Sequence, residues 1–160
     1  MEVINSCHDL FSLVDVLAKS SKAIKVASFG LWAGVFANGY SVAQKFNTRT
    51  YKTLGVLSKR NTRMIIGKPE LICCEDGCKA CEHKHMERVG RIKTTLDEFK
   101  IKHRIVSKNH AKFYLFDTGR YDVIVGGMNF TTSSWHDYMF RIQDKALYSR
   151  LSNDFNRWWK

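Results

Sequence analysis

The chain has 160 residues, of which 44% are hydrophobic and 12% aromatic, and only one is proline. This composition is typical of one globular domain and excludes a disordered or proline-rich polypeptide. No apolar run reaches the roughly 20 residues that cross a bilayer, so we expect no stable membrane insertion. The N-terminal stretch lacks a basic region and carries acidic residues among its apolar ones, so we expect no secretory signal. The formal net charge of +11 indicates a polyanionic partner, nucleic acid before an anionic membrane surface.

The first half of the chain is predicted to alternate helices and strands. Ser6 can cap a helix over residues 6–19, in which apolar residues recur at helical spacing. The run over 23–31 alternates and then becomes apolar, which favours a strand that enters a sheet interior. A second helix is predicted over 42–58 and a short buried strand over 63–67.

The charged residues between positions 42 and 68 are all basic. A run of one sign is typical either of a solvated helix face or of a surface that contacts phosphates, and the sequence leaves both open. On the second interpretation, Lys45, Arg49 and Arg63 are candidates for substrate binding.

The second half is predicted to hold a helix over 87–100, four strands and a closing helix over 145–159. The strands are expected at 102–107, 111–116, 122–125 and 138–142. Gly119 marks a hairpin turn between the second and third of these. We therefore predict one α/β or α+β domain over residues 1–160, with a mixed β-sheet flanked by helices.

A Cys- and His-rich insert at about 73–85 interrupts this alternation. Cys7 stands alone, whereas Cys73, Cys74, Cys78 and Cys81 lie within nine residues. Such usage indicates reduced thiols or a metal site in a cytosol-like compartment, so we expect a cytoplasmic protein, or a host-cytoplasmic one if phage-encoded. The spacing favours a structural zinc site, with free thiols on a loop as the alternative. Its predicted ligands are Cys74, Cys78, Cys81 and His85 (or His83).

The residues that indicate chemistry are His110 and Lys112, followed by Asp117, Gly126-Gly127 and Asn129. Two positions apart on a predicted strand, His110 and Lys112 point to the same face. Adjacent cations cost energy unless an anion lies between them, so the pair predicts a phosphate site; an exposed pair on an edge strand is the alternative. Asn129 follows a Gly-Gly, where the backbone can approach a ligand and an amide can donate a hydrogen bond.

The pattern H-x-K-x4-D followed by G-G-x-N resembles the signature of the phospholipase D superfamily, and the element order is similar to one repeat of that family. The resemblance implies a phosphodiesterase that needs no cofactor for catalysis. His110 would attack phosphorus to form a phosphohistidine, and a second motif histidine would protonate the leaving oxygen. Lys112 and Asn129 would stabilise phosphate charge, and Asp117 would support the motif strand.

The chain contains one copy of the motif, so the resemblance implies a homodimer in which His110 of each subunit meet in one site. Gly127 stands where the family often has serine, which removes one phosphate donor. The family also supplies a carboxylate that orients the nucleophilic imidazole. We assign this role to Asp137, with Glu98 or Asp144 as alternatives.

Trp32 and Trp135 lie where members of the family line the cleft, so with Gly127 they are candidates for substrate binding, although tryptophans more often fill a core. The sequence thus predicts an endonuclease that cleaves DNA or RNA. A phospholipase acting on phosphatidyl head groups and a non-enzymatic, zinc-stabilised nucleic-acid-binding module are the alternatives. The intact motif argues against the binding module, and the basic run favours the nuclease over the lipase.

Overall fold

A computed structural model describes residues 1–29, 31, 49–68, 78–107, 109–128 and 137–160. The described part of the chain contains no helix that is long and apolar enough to span a bilayer. The remaining residues include five of the predicted site residues. The predictions that lie outside the described residues concern Trp32, Lys45, Cys74, Asn129 and Trp135.

Seven strands and four helices alternate along the described residues. The strands are β1 (Glu2–Ile4), β2 (Ile24–Ser28), β3 (Thr62–Gly67), β4 (Lys102–Val106), β5 (Phe113–Phe116), β6 (Asp122–Gly126) and β7 (Met139–Gln143). The helices are α1 (Cys7–Ser20), α2 (Arg49–Ser58), α3 (Lys79–Glu98) and α4 (Lys145–Trp159).

All seven strands form one sheet in the order β1-β7-β6-β5-β2-β3-β4. β2, β3 and β4 are parallel to one another, whereas antiparallel ladders join β2, β5, β6, β7 and β1. Tyr114 and Phe116 of β5 pack on one face with apolar residues of α1, α2 and α3, and Phe113 and Leu115 pack on the other face against α4. The sheet is therefore mixed and has helices on both faces, as predicted.

Two local predictions are confirmed in detail. Ser6 caps α1, where its Oγ accepts a hydrogen bond from the backbone nitrogen of Asp9 at 3.1 Å. The hairpin between β5 and β6 turns at Gly119, whose φ of +82° is the left-handed conformation that favours glycine.

Two predicted boundaries are wrong. Residues 79–85 belong to α3 instead of a loop, because this stretch lacks glycine and proline. Ion pairs between residues one helical turn apart also stabilise it, such as that of His83 Nε2 with Glu87 at 3.1 Å. The motif strand begins at Phe113, so His110 and Lys112 lie in the segment that enters β5. The side chain of Asn109 accepts the Ala111 N–H at 3.1 Å, which withdraws that donor from the sheet.

Leu147, Leu151, Phe155 and Trp158 recur at helical spacing in the closing helix, which predicts that Trp158 is buried, but the structure buries Trp159 more deeply. Phe155 is fully buried, but Trp158 is 41% exposed. Trp159 takes the inner position, where its ring stacks on Phe155 with centroids 5.5 Å apart. Positions three and four residues after Phe155 both lie on its face of the helix, so periodicity alone did not distinguish them.

Candidate active site

The predicted catalytic residues lie along one edge of the sheet, which we call the upper edge. Parallel strands β2, β3 and β4 all end there. β5 begins at this edge, because Phe113 pairs with Ala27 near the end of β2. β6 ends there and β7 begins there, because Gly126 pairs with Met139. The segments before β5, after β6 and before β7 therefore meet at the upper edge.

His110 and Lys112 share an aromatic partner at this edge. The exposed imidazole of His110 stacks on the ring of Phe29, with centroids 4.3 Å apart and planes 16° from parallel. The Nζ of Lys112 lies 5.5 Å from the centroid of the same ring and donates to the backbone oxygen of His110 at 3.2 Å. Stacking and cation–π contact thus hold the imidazole and the ammonium on one ring.

Phe29 cannot be distinguished in the sequence from a core residue of the run 23–31. Its position near the end of that run is the signal that could have marked it, because the carboxyl ends of parallel strands carry the sites of many α/β folds. The structure adds it to the site as the ring that supports His110.

Asn109 is a second residue that the sequence did not mark. It is 9% exposed, and its Oδ1 accepts the Ala111 N–H at 3.1 Å in a turn that encloses His110. Its Nδ2 is buried and has no hydrogen-bond partner among the described residues. The amide therefore fixes the backbone from which the imidazole projects.

Gly67 allows three backbone segments to pack closely against one another at this edge. A Cβ at this position would lie 2.6 Å from the carbonyl oxygens of both Phe29 and Asn109. No real side chain tolerates two such contacts with backbone, so the position requires glycine. The segments that carry the supporting ring and the nucleophile candidate are thereby packed against the end of β3.

Gly127 and Asp137 lie side by side at the upper edge. The backbone nitrogen of Gly127 donates to the oxygen of Tyr138 at 2.9 Å. A Cβ on Gly127 would lie 2.9 Å from Oδ1 and 3.1 Å from Cγ of Asp137. The carboxylate of Asp137 thus lies in the space that a Cβ at position 127 would enter, so a larger residue there would require this carboxylate to shift.

The other acidic candidates lie at the opposite edge, which we call the lower edge. The backbone of Asp117 accepts from Lys22 and donates to Ala23, at 3.0 Å each, so it ties the end of β5 to the start of β2. Asp144 caps α4 by accepting from the Leu147 nitrogen at 2.8 Å. Glu98 ends α3, which leads into the start of β4. Of the three candidates for orienting the imidazole, Asp137 is the one that lies at the upper edge of the sheet with His110.

The two described basic candidates have partners within the chain. Arg49 Nη2 lies 2.8 Å from Asp15 Oδ2, which joins α2 to α1. Arg63 lies near the start of β3, at the lower edge, where it donates to Asn156 Oδ1 at 3.4 Å. Among the described residues, neither Arg49 nor Arg63 contacts those that surround His110.

The described part of the cysteine insert lies at the start of α3. Cys81 and His85 are four residues apart on this helix and both are half-buried, so they share one side. His85 Nδ1 is buried without a described hydrogen-bond partner, whereas His83 is exposed and paired with Glu87. Within the described ranges, no three His, Cys, Asp or Glu residues are grouped closely enough to hold a metal ion.

Comparison with known proteins identifies the family. A sequence model described as "Cardiolipin synthase, PLD-like domain" matches residues 13–159. The chain belongs to the phospholipase D-like family. The matched range includes His110, Lys112 and the other residues of the upper edge, and the mixed sheet with its four helices is the phospholipase D-like unit of this family.

The fold is also similar to that of a solved structure from an archaeon. TrmBL2, a chromatin protein whose structure is described as showing a novel mode of DNA binding, matches with a TM-score of 0.52 at 12% sequence identity. The match covers 99% of this chain and 51% of TrmBL2, so the phospholipase D-like chain spans about half the length of that protein. This likeness shows a common fold. None of the curated proteins matches the chain.

Proposed function

We propose that this phospholipase D-like chain is a phosphodiesterase that cleaves nucleic acid through a phosphohistidine intermediate. The observation that supports this proposal is the pairing of His110 and Lys112 on the ring of Phe29 at the upper edge. An exposed imidazole beside an ammonium offers a nucleophile together with a charge that attracts a phosphodiester. The net charge of +11 favours a polyanionic substrate.

The proposed reaction has two steps. A ring nitrogen of His110 attacks phosphorus, so that a P–N bond forms while the bond to the leaving oxygen breaks, and that oxygen takes a proton from His110 of the partner subunit. The now neutral partner imidazole removes a proton from water, whose oxygen bonds to phosphorus as the P–N bond breaks. Both histidines then return to their initial protonation states. Lys112 stabilises the charge on the phosphate oxygens throughout.

Asp137 is our candidate for the carboxylate that orients the imidazole. Asp137 lies at the upper edge of the sheet, as His110 does, whereas Asp144 and Glu98 lie at the lower edge. Such a carboxylate would act by holding one tautomer of the ring, without touching the substrate.

The decisive test uses a panel of single- and double-stranded DNA and RNA in EDTA, with cleavage followed on gels. We expect cleavage by the wild type and loss of at least about a thousandfold for His110→Ala, because removal of a nucleophile leaves only binding effects. His8→Ala is the matched control, since His8 is an exposed histidine on α1. Cleavage by His110→Ala at the wild-type rate would contradict the mechanism, and dependence on added metal would do so too.

The two-histidine reaction requires a homodimer, and a mixing experiment tests it. Wild-type and His110→Ala chains with different tags are co-expressed in equal amounts, and the pooled dimers are assayed. If each site needs both histidines, about a quarter of the full activity remains, because only wild-type pairs are active. Retention of half of the activity would contradict a shared site. An active species whose mass in solution is that of a monomer would contradict it too.

The second candidate function is the same chemistry on a phosphatidyl head group. The observation that favours it is the family description, which names cardiolipin synthase. Vesicles of phosphatidylglycerol and cardiolipin belong in the same panel. Release of a head group with no cleavage of any nucleic acid would replace the nuclease proposal.

We also propose that the insert holds a structural zinc ion through Cys74, Cys78, Cys81 and His85. Cys81 and His85 share a side of α3, and the buried Nδ1 of His85 offers a nitrogen without a described partner. The measurement is zinc content per chain after purification. We expect one zinc per chain, lost in Cys81→Ser and retained in His83→Ala. Absence of zinc in the wild type would refute this site.

A further inference from the structure

A row of cations crosses the lower half of the sheet on the face that α4 covers. Lys25 of β2 pairs directly with Arg63 of β3, and Arg63 pairs directly with Lys102 of β4. Paired residues project to the same face, and adjacent strands lie about 4.8 Å apart. The row therefore places three positive charges side by side, an arrangement that disfavours folding unless something compensates it.

Among the described residues, the side chains that contact Lys25 and Arg63 of this row are neutral. Lys25 Nζ donates to Ser152 Oγ, and Arg63 donates to Asn156 Oδ1. The guanidinium of Arg63 lies 5.3 Å from the ring centroid of Trp159 and 5.7 Å from that of Phe155. Burial first, and then the charge of Arg63, lower the pKa of Lys25. No described contact supplies the row with a carboxylate.

Further cations extend the row along β4, the last strand of the sheet in the described part of the chain. Lys102 and Arg104 lie two residues apart on β4, an edge strand, and both are exposed. Lys100 and Lys102 line an open groove beside Trp159. Asp97 is the acidic residue of that groove, and it lies 3.9 Å from His103. The edge thus remains predominantly basic.

Trp158 connects this basic edge to the upper edge. Trp158 is 41% exposed, and its ring centroid lies 6.0 Å from that of Phe113, the residue that follows Lys112. The guanidinium of Arg104 donates to the backbone oxygens of Trp158 and Trp159. An exposed aromatic ring therefore lies between the Lys112 segment and the cations of β4.

We propose that Trp158, Arg104 and Lys102 form an extended binding path for single-stranded nucleic acid that leads away from His110. Cations that follow a backbone, together with an aromatic ring on which an unpaired base stacks, are the two components of single-strand recognition. A duplex offers no free base face to Trp158, so the path favours single strands. This inference rests on the proposed nuclease function and assigns it a substrate class.

The test measures affinity for a fluorescein-labelled single strand of about 12 nucleotides, a usual length for such sites. Fluorescence anisotropy is recorded in EDTA on chains that all carry His110→Ala. We expect Trp158→Ala to raise the Kd about tenfold, whereas Trp158→Phe keeps most of the affinity because a ring remains. We expect Lys102→Glu to raise the Kd and to reduce the salt slope by roughly 0.7 for each phosphate that the protein no longer neutralises.

Lys93→Glu is the matched control, because it makes the same charge change at an exposed position of α3, on the other face of the sheet. The inference is overturned if Lys102→Glu and Lys93→Glu weaken binding equally and Trp158→Ala has no effect. It is also overturned if a duplex binds as tightly as the single strand, or if the variants impair binding only to anionic vesicles. If the wild type binds single strands tightly but does not cleave them, the proposed nuclease function is refuted and the proposed binding path is still supported.

Discussion

The carboxylate of Asp122 is the most completely bonded acidic group among the described residues, and its removal offers a quantitative test of the fold. Asp122 is 1% exposed. Its Oδ1 accepts from Arg141 Nε at 2.9 Å and Nη2 at 2.8 Å, and from Gln143 Nε2 at 3.1 Å. Its Oδ2 accepts from Thr118 Oγ1 at 2.6 Å. The network ties β6 to β7, the strands whose upper ends carry Gly127 and Asp137.

We expect Asp122→Ala to lower the free energy of unfolding by about 3 kcal/mol. Removal of one partner of a buried ion pair costs roughly 3–5 kcal/mol, and the lower end applies because Arg141 is 26% exposed and keeps Glu2 at 3.2 Å. For a chain of this size, that loss lowers the Tm by roughly 6–12 °C. Glu2→Gln, which removes an exposed partner of the same arginine, should cost no more than about 1 kcal/mol.

The network also predicts how stability depends on pH. Burial alone raises the pKa of Asp122, but the hydrogen bonds from Thr118, Gln143 and Arg141 and the charge of Arg141 outweigh it and lower the pKa. A carboxyl whose pKa is lowered on folding stabilises the protein above its unfolded value, about 3.9, and this stability is lost as the pH falls through the folded value.

Urea unfolding followed by circular dichroism between pH 3 and pH 7 measures both effects. Asp122→Ala should be less stable at pH 7 and should lose less stability on acidification than the wild type. A loss below about 1 kcal/mol, or an equal loss for Glu2→Gln, would refute the reasoning from burial.

Two further predictions concern the upper edge. Gly127→Ala should displace the carboxylate of Asp137 and lower kcat several-fold at nearly unchanged KM, since the new Cβ would lie 2.9 Å from Oδ1. Asp137→Ala should lower kcat by a similar factor, and the double variant should lower it no further. Additive losses in this double-mutant cycle would contradict coupling between the two positions. Asn109→Ala removes the acceptor of the Ala111 N–H and should lower kcat about tenfold by loosening the backbone at His110. Asn109→Asp keeps that acceptor and should retain most of the activity; equal loss in both variants would argue against the turn.

The sequence predicted the parts of the fold that depend on local patterns. The cap at Ser6 and the turn at Gly119 come from backbone chemistry that a few neighbouring residues determine. β1 was missed because three residues carry no periodicity, and their strand exists through pairing with β7, which is distant in the chain. The early start of α3 was hidden by residues that equally suit a metal-binding loop.

The candidate site was predictable where a motif carried it. His110 and Lys112 were marked by their spacing, but Phe29 and Asn109 were not, because an aromatic residue in an apolar run and an asparagine before a motif have many ordinary roles. Arg49 and Arg63, in contrast, were predicted for the site from the sequence but lie away from the described residues around His110. A run of basic residues reveals its charge but not its partners, which here come from α1 and α4.

Gly67 has a consequence for how widely sequences with this site can diverge. The segments of Phe29 and Asn109 are positioned against it by backbone packing, because it has no side chain of its own. If His110 is the proposed nucleophile, its placement by main-chain contacts would tolerate extensive replacement of side chains elsewhere, provided that position 67 stays glycine. For protein engineering, Gly67→Ala is therefore a single-methyl change that would displace the His110 segment and the supporting ring together.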